Sequence, residues 1–251
     1  MIILFSYIVM RVTGVITFNN VIARNEFSPS IKGMFVFMLS AMMFIWNEGL
    51  LYTEPETLLE YGMLLVKELA IGACIGFGMD LTFAIVRFGG TVIDFVMGLN
   101  MAQVFDPASN QQSTPTSNLL AIFMSMVFFT SGGHIRYIGI LFNSVKYIPF
   151  GQVQLNFGIA RYMFELFFDC MVLGLQIAFP ILAIELLAEI SLGILMRINP
   201  QLNIFSVNFQ LKIIAGMVML LVLFTPMSEM IIRIMEGMFT HLDEIVRVLA
   251  G

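Results

Sequence analysis

The sequence predicts an all-α membrane protein built from broken and hairpin helices, and three observations carry that prediction. The chain is 59% hydrophobic and only 12% charged, with a mean hydropathy of +0.93, whereas a soluble globular chain is about half apolar and a quarter charged. Its apolar runs are continuous. The alternating pattern of a membrane barrel is absent, which argues for helices. Apolar sequence also lies on both sides of one polar interruption, residues 100–118, NMAQVFDPASNQQSTPTSN.

That interruption contains one charge, Asp106, and two prolines, Pro107 and Pro115. Pro107 pushes Asp106 out of the helical region, and the neighbouring Asp, Ser and Asn side chains offer local turn bonds, so the stretch is a loop. Two readings stand side by side: a surface connection between spans, or a plug in a pore. Composition does not choose between them. The net charge of -5 sets no class of partner, and without a basic cluster nothing points to nucleic acid. Cys74 and Cys170 sit in separate apolar segments and read as buried thiols rather than a disulfide or metal pair.

The elements follow in order. Residues 2–22 form an apolar first helix, read as uncleaved because no basic region precedes it and no small-residue cleavage site follows. Arg11 in its middle is unusual. Residues 23–32 form a loop with Pro29, Arg24, Glu26 and Lys32, and a second helix covers 33–46. The loop 47–60 holds Glu48, Glu54, Glu56 and Glu60 and no basic residue. Basic loops favour the cytoplasm, which places Arg24 and Lys32 there and the N-terminus outside.

Residues 61–99 are too long for one plain span, since about 20 residues cross a bilayer. The Gly89-Gly90 pair predicts a kink or break, hence a bent helix or two half-helices. The pieces 119–131 and 135–148, separated by Gly132-Gly133-His134, are each short for a span and suggest a hairpin reaching partway, buried in protein. A loop at 149–160 precedes a helix at 161–196 that contains Pro180. A turn at 197–210 follows, flanked by Arg197 and Lys212 without an acid between them, so it faces the cytoplasm. The last apolar run ends at Phe224, before Pro226. The tail from Ser228 is amphipathic and suits a helix at the membrane interface. No internal repeat is present.

Charges inside apolar runs are costly and normally face protein or water. Asp80, Arg87 and Asp94 are spaced by seven residues, which puts them on one helix face at about 10 Å intervals. Their partners therefore lie on other helices. Lys67 and Glu68 lie earlier in the same run. Glu165 and Asp169 share a face, with Arg161 one turn before, and Glu185 and Glu189 repel unless a cation sits between them. Such charges serve either an ion relay or pairing inside an assembly. The spacing Gly72-x-x-x-Gly76 permits close helix approach. His134 and His241 are each isolated, and no zinc spacing, Ser-His-Asp set or phosphate loop is present. The 21 Met and 25 Phe residues fill cores and face lipid, though flexible Met can also seal around variable shapes.

Several of these residues together resemble the FliR family of flagellar export membrane proteins. They are Lys67-Glu68, Gly72, Gly76, Phe83-Ala84, Gly98, Phe105-Asp106-Pro107, Gly133-His134, Ser144, Pro149 and Gly151. The fullest resemblance is the stretch PILAIELLAEISLGILMRINPQLNIFSVNFQLK, residues 180–212. Three departures stand out: Asn199 where the family often has Ala, Gln210 where it often has Pro, and Phe18-Asn19 where a Pro is common.

The resemblance implies a non-enzymatic export-gate channel subunit of the flagellar type III secretion system, without cofactor, in the bacterial inner membrane at the flagellar basal body. It would join FliP-like, FliQ-like and FlhB-like subunits in a helical funnel that passes unfolded flagellar proteins. Residues 1–160 would be FliP-like, 161–227 a FliQ-like hairpin and 228–251 a tail. Phe105, Asp106, Pro107, Gln111, Gln112, Thr114 and Pro115 would form the pore plug. Arg197, Pro200, Gln201, Asn203 and Lys212 would form the cytoplasmic turn. Lys67, Glu68, Asp80, Arg87, Asp94, Glu185 and Glu189 would serve assembly. The alternatives are the same role in a virulence system, or a stand-alone ion-coupled transporter using Asp80, Asp94, Glu185 or Glu189.

Overall fold

Seven helices account for nearly all the described residues of the computed structural model, which are 1–19, 28–46, 55–100, 114–152, 157–198 and 204–250. They are α1 (Ile2–Thr17), α2 (Pro29–Trp46), α3 (Leu58–Val96), α4 (Pro115–Thr130), α5 (Gly133–Tyr147), α6 (Phe157–Ile198) and α7 (Ile204–Ala250). Among the described residues there is no strand. Four helices are long and apolar enough to cross a membrane, or five spans if the bent pair α4–α5 counts as one. The chain is an all-α, multi-pass membrane protein.

Several helix ends differ from expectation, each for a local reason. The second helix starts at Pro29, not Gly33. Proline suits the first helical position because its missing N–H would be unpaired there anyway. The Ser28 carbonyl accepts the N–H groups of Ile31 and Lys32 at 3.0 and 3.3 Å. Pro115 opens α4 in the same way, ahead of the expected Leu119.

The expected break at Gly89-Gly90 does not occur. Helix α3 runs uninterrupted for 39 residues, about 58 Å at 1.5 Å per residue. The two glycines serve close approach instead. A Cβ on Gly89 would lie 2.7 Å from the Gly174 carbonyl of α6, and one on Gly90 would overlap the Ser117 backbone of α4. The break does fall where the second glycine pair stands. Gly132 has φ 73°, a left-handed conformation that glycine adopts without penalty, and α4 and α5 are bent by 70° there.

The two long C-terminal helices absorb their prolines. Pro180 lies inside α6 and Pro226 inside α7, so the last helix neither stops near Phe224 nor waits until Gln210 to begin. A proline removes one N–H bond and crowds the preceding turn, but membrane helices accommodate it. The amphipathic tail is the end of α7, and its apolar face is packed within the protein. Met238, Leu242 and Ile245 are buried. A Cβ on Gly78 of α3 would lie 2.5 Å from Ile245 Cδ1, and the Arg136 guanidinium of α5 stacks 4.4 Å from the Phe239 ring.

The chain forms two compact units. The first comprises Met1–Thr82, Phe128–Phe168 and Glu236–Gly251, and the second Phe83–Val127 and Asp169–Met235. In the first unit α1 packs on α2 through Phe5, edge-on to Phe37 at 6.2 Å and Phe44 at 5.8 Å. It crosses α3 backbone to backbone. A Cβ on Gly72 would overlap the Arg11 carbonyl, one on Gly14 the Leu69 carbonyl, and one on Gly76 would lie 2.5 Å from the Val15 carbonyl. The Gly72-x-x-x-Gly76 spacing therefore works as a packing device, with Gly14 as its counterpart.

Candidate functional site

In the first unit a buried ion pair is satisfied within the chain. Arg11 and Glu68 are both fully buried, and Arg11 Nε donates to Glu68 Oε2 at 2.6 Å. The other guanidinium nitrogens reach Ser144 Oγ at 3.4 Å and the Ile148 carbonyl at 3.1 Å. The guanidinium lies 4.4 Å from the Phe150 ring centroid. The second Glu68 oxygen accepts the Gly151 N–H at 3.0 Å. Gly151 has φ 77°, so a side chain there would strain the turn that delivers this N–H. One ion pair thus ties α1 and α3 to α5 and the turn after it. Breaking such a buried pair from one side costs about 3–5 kcal/mol.

Arg11 stood out in the sequence, but its role did not. Its partner is 57 residues away, and the only available signal was opposite charge in two separate apolar helices. Beside this network, buried Asn19 donates to Tyr137 Oη at 3.2 Å and Met79 Sδ at 3.0 Å. The residue that departs from the family pattern therefore anchors the end of α1. Lys67 and Asp80 are half-buried, and each has an interaction within the fold. The Arg161–Glu165 pair forms at 2.8 Å on an exposed surface. Tyr162 Oη lies 3.2 Å from His241 Nδ1 and 3.3 Å from Glu244 Oε2, so His241 is not isolated. The His134 ring packs 5.5 Å from Phe129, with Nδ1 buried and unbonded among the described residues.

In the second unit, Asp94 stands at the upstream neck of the central loop. It is fully buried, and Oδ2 accepts the N–H groups of Thr116 at 2.8 Å and Ser117 at 3.3 Å. These are free donors in the first turn of α4, where a negative charge is also favoured by the helix dipole. Asp94 therefore caps the helix that follows the loop from the helix that precedes it. Gly90, one turn earlier, leaves the space that brings Ser117 close. The partner of Asp94 is a backbone helix end, not a cation. Asp94 Oδ1 and the Thr114 hydroxyl are buried without partners among the described residues. Thr114 is buried and Pro115 exposed. Phe105, Asp106, Pro107, Gln111 and Gln112 lie outside the described residues. Arg87 is half-buried and has an interaction within the fold.

Glu189 pairs with Lys212 across the turn between α6 and α7. Arg197 is exposed, and Pro200, Gln201 and Asn203 lie outside the described residues. One turn from Glu189, Glu185 is 1% exposed, with neither oxygen bonded among the described residues. Cys74 and Cys170 are free thiols, and no cluster of three or more metal-binding side chains occurs among the described residues.

Comparison with known proteins agrees with this architecture. The family model described as "Bacterial export proteins, family 1" matches residues 2–238. Among curated relatives, the chain is 30% identical over 162 residues to the flagellar biosynthetic protein FliR of Buchnera aphidicola subsp. Baizongia pistaciae, spanning 63% of this chain and 62% of that relative. It is 28% identical over 183 residues to FliR of Escherichia coli, covering 73% of this chain and 70% of the relative. It is 27% identical over 187 residues to the surface presentation of antigens protein SpaR of Shigella flexneri, covering 74% and 71%. The chain belongs to family 1 of the bacterial export proteins, the FliR family.

Proposed function

We propose that this chain is an export-gate subunit of a flagellar type III secretion system that passes unfolded flagellar proteins across the inner membrane and has no enzymatic activity of its own. The observation that carries the reading is the family match over residues 2–238. FliR relatives at up to 33% identity favour the flagellar branch. The virulence branch has in its favour the 27% matches to SpaR of two Shigella species.

In this reading the chain joins FliP-like and FliQ-like subunits, with an FlhB-like subunit attached, in the lipid bilayer. Residues 1–160 are its FliP-like part and 228–251 its tail. Residues 161–227 act as the FliQ-like hairpin, which the Glu189–Lys212 pair across the turn supports. Helices α3, α6 and α7, at 39, 42 and 47 residues, exceed the roughly 20 needed to cross a bilayer. That length suits a funnel extending beyond the membrane plane. The central loop at 100–118 plugs the closed pore, and the Asp94 cap on α4 supports this by holding its downstream end.

The test is native mass spectrometry of the tagged chain after gentle extraction, with neighbouring membrane proteins co-expressed. One copy with several copies each of two smaller membrane proteins is the expected result. A lone monomer or homodimer would overturn the reading in favour of a stand-alone transporter. Deleting residues 111–113, which spares the Asp94-capped start of α4, should then leave assembly intact and make the closed membrane leak ions. A sealed membrane after that deletion would remove the plug.

A further inference from the structure

A groove of 120 Å³ opens in the first unit between α5 and the end of α7. Its floor is apolar, with buried Ile140 and Val246. Its rim is polar. Asn143 and Tyr147, one turn apart on α5, and Asp243 and Arg247, one turn apart on α7, line it and are all exposed. Ser144 at its base is already occupied, donating to the Leu141 carbonyl and accepting from Arg11. Recognition of a ligand therefore falls to the four rim side chains.

The level of this groove in the membrane follows from α2. That helix has 18 residues and is apolar enough to cross, and at 1.5 Å per residue it is about 27 Å long, close to the roughly 30 Å hydrocarbon thickness of a bilayer. Its ends therefore lie near the two membrane faces. The last residue is Trp46, which is exposed and stands edge-on to Phe142 at 6.5 Å. Tryptophan and tyrosine collect at the headgroup level. Phe142 precedes Asn143 of the groove, and Tyr147 follows one turn later. The rim thus lies at headgroup depth. The apolar face of the amphipathic tail packs in the protein, and its polar face presents Asp243 and Arg247 here.

We propose that this groove binds the headgroup of a zwitterionic phospholipid of the phosphoethanolamine class. The Arg247 guanidinium matches a phosphate, which it can grip with two parallel N–H bonds. The Asn143 amide and the Tyr147 hydroxyl add neutral donors. Asp243 repels a purely anionic headgroup but accepts N–H bonds from a primary ammonium. A trimethylammonium has no N–H to give and is bulkier. The volume is below the roughly 300–1,000 Å³ of a pocket for a drug-sized molecule, so it admits a headgroup while the acyl chains stay outside. Binding is non-covalent. The inference rests on the chain's place in a membrane and is independent of its cargo and of the central loop.

The test is native mass spectrometry of the delipidated membrane complex titrated with phosphatidylethanolamine, phosphatidylcholine or phosphatidylglycerol of identical acyl chains. The wild type should bind one phosphatidylethanolamine per copy of this chain about fivefold more tightly than phosphatidylcholine, the scale of one exposed charge pair. Arg247→Gln should weaken both lipids, and Asp243→Asn should abolish the preference between them. Equal binding of the two lipids by the wild type would leave Asp243 and Arg247 a surface ion pair and overturn the proposal. So would a preference for phosphatidylglycerol, or unchanged binding in Arg247→Gln. Should that variant fail to assemble, Tyr147→Phe serves instead. It should weaken both lipids alike, and unchanged binding would overturn the assignment.

Discussion

The two units treat buried charge in opposite ways. In the first, Arg11 and Glu68 are fully buried, and each guanidinium nitrogen and each carboxylate oxygen has a partner, in the other residue of the pair, in Ser144, or in the backbone of Ile148 and Gly151. Among the described residues of the second, Asp94 uses one oxygen and leaves the other unbonded, and Glu185 uses neither. A buried charge is tolerated when it is completely satisfied, and otherwise the group neutralises or waits for a partner. The first unit therefore has the character of a finished structural joint. The second keeps incompletely satisfied acids on α3 and α6.

Substitutions can break this contrast, beginning with the largest effect. Arg11→Ala leaves Glu68 buried without its cation and should cost about 3–5 kcal/mol, seen as loss of the chain from membranes. Replacing both partners by Met should restore much of that amount, because an apolar pair of similar size removes the unpaired charge. Gly72→Ala drives a Cβ into the Arg11 carbonyl and should cost about 1–3 kcal/mol, read as a lower unfolding temperature in detergent. Gly33→Ala, where a Cβ meets nothing within 4 Å, should not lower it.

The neck of the loop comes next. Asp94→Ala removes a helix cap and should cost about 0.5–2 kcal/mol. Asp94→Asn keeps an acceptor for the Thr116 N–H and should lose less, and a thermal scan of the two variants beside the wild type orders them. An Asn variant as damaged as the Ala variant would show that the charge, not the acceptor, holds α4. The smallest effect belongs to Glu189→Gln. Its pair with Lys212 is partly exposed, with 47% of the Glu189 side chain accessible, and exposed pairs contribute about 0–1 kcal/mol. The same thermal scan should barely move.

How much of this was legible in the sequence depends on range. Composition and continuous apolar runs give the helical membrane class because they concern each segment alone. The break at Gly132 and the close approach at Gly72 and Gly76 are also local, and both appear in the structure. Gly89-Gly90 carried the same local signal as Gly132-Gly133 yet marks a contact inside an unbroken helix. Whether a glycine pair bends a helix or admits a neighbour depends on α4 and α6, which lie elsewhere in the chain. Pro226 reads as a stop, but α7 continues through it because the packing of Met238, Leu242 and Ile245 holds the helix beyond it. The Arg11–Glu68 pair required knowing which faces of α1 and α3 meet. Spacing could place Asp94 on a helix face, but it could not show that the carboxyl group caps another helix.

One isosteric change made at two sites tests the central claim most directly. Glu68→Gln and Glu185→Gln each remove one potential negative charge from a buried side chain, and the amount of assembled membrane complex can be measured for both on native gels. Glu68 accepts from Arg11 Nε and from the Gly151 N–H, so its Gln variant leaves a buried guanidinium without its counter-charge and should nearly abolish assembly. Glu185 makes no hydrogen bond among the described residues, so its Gln variant leaves no partner unpaired and should assemble at the wild-type level. Equal loss in both variants, or a larger loss for Glu185→Gln, would contradict the account.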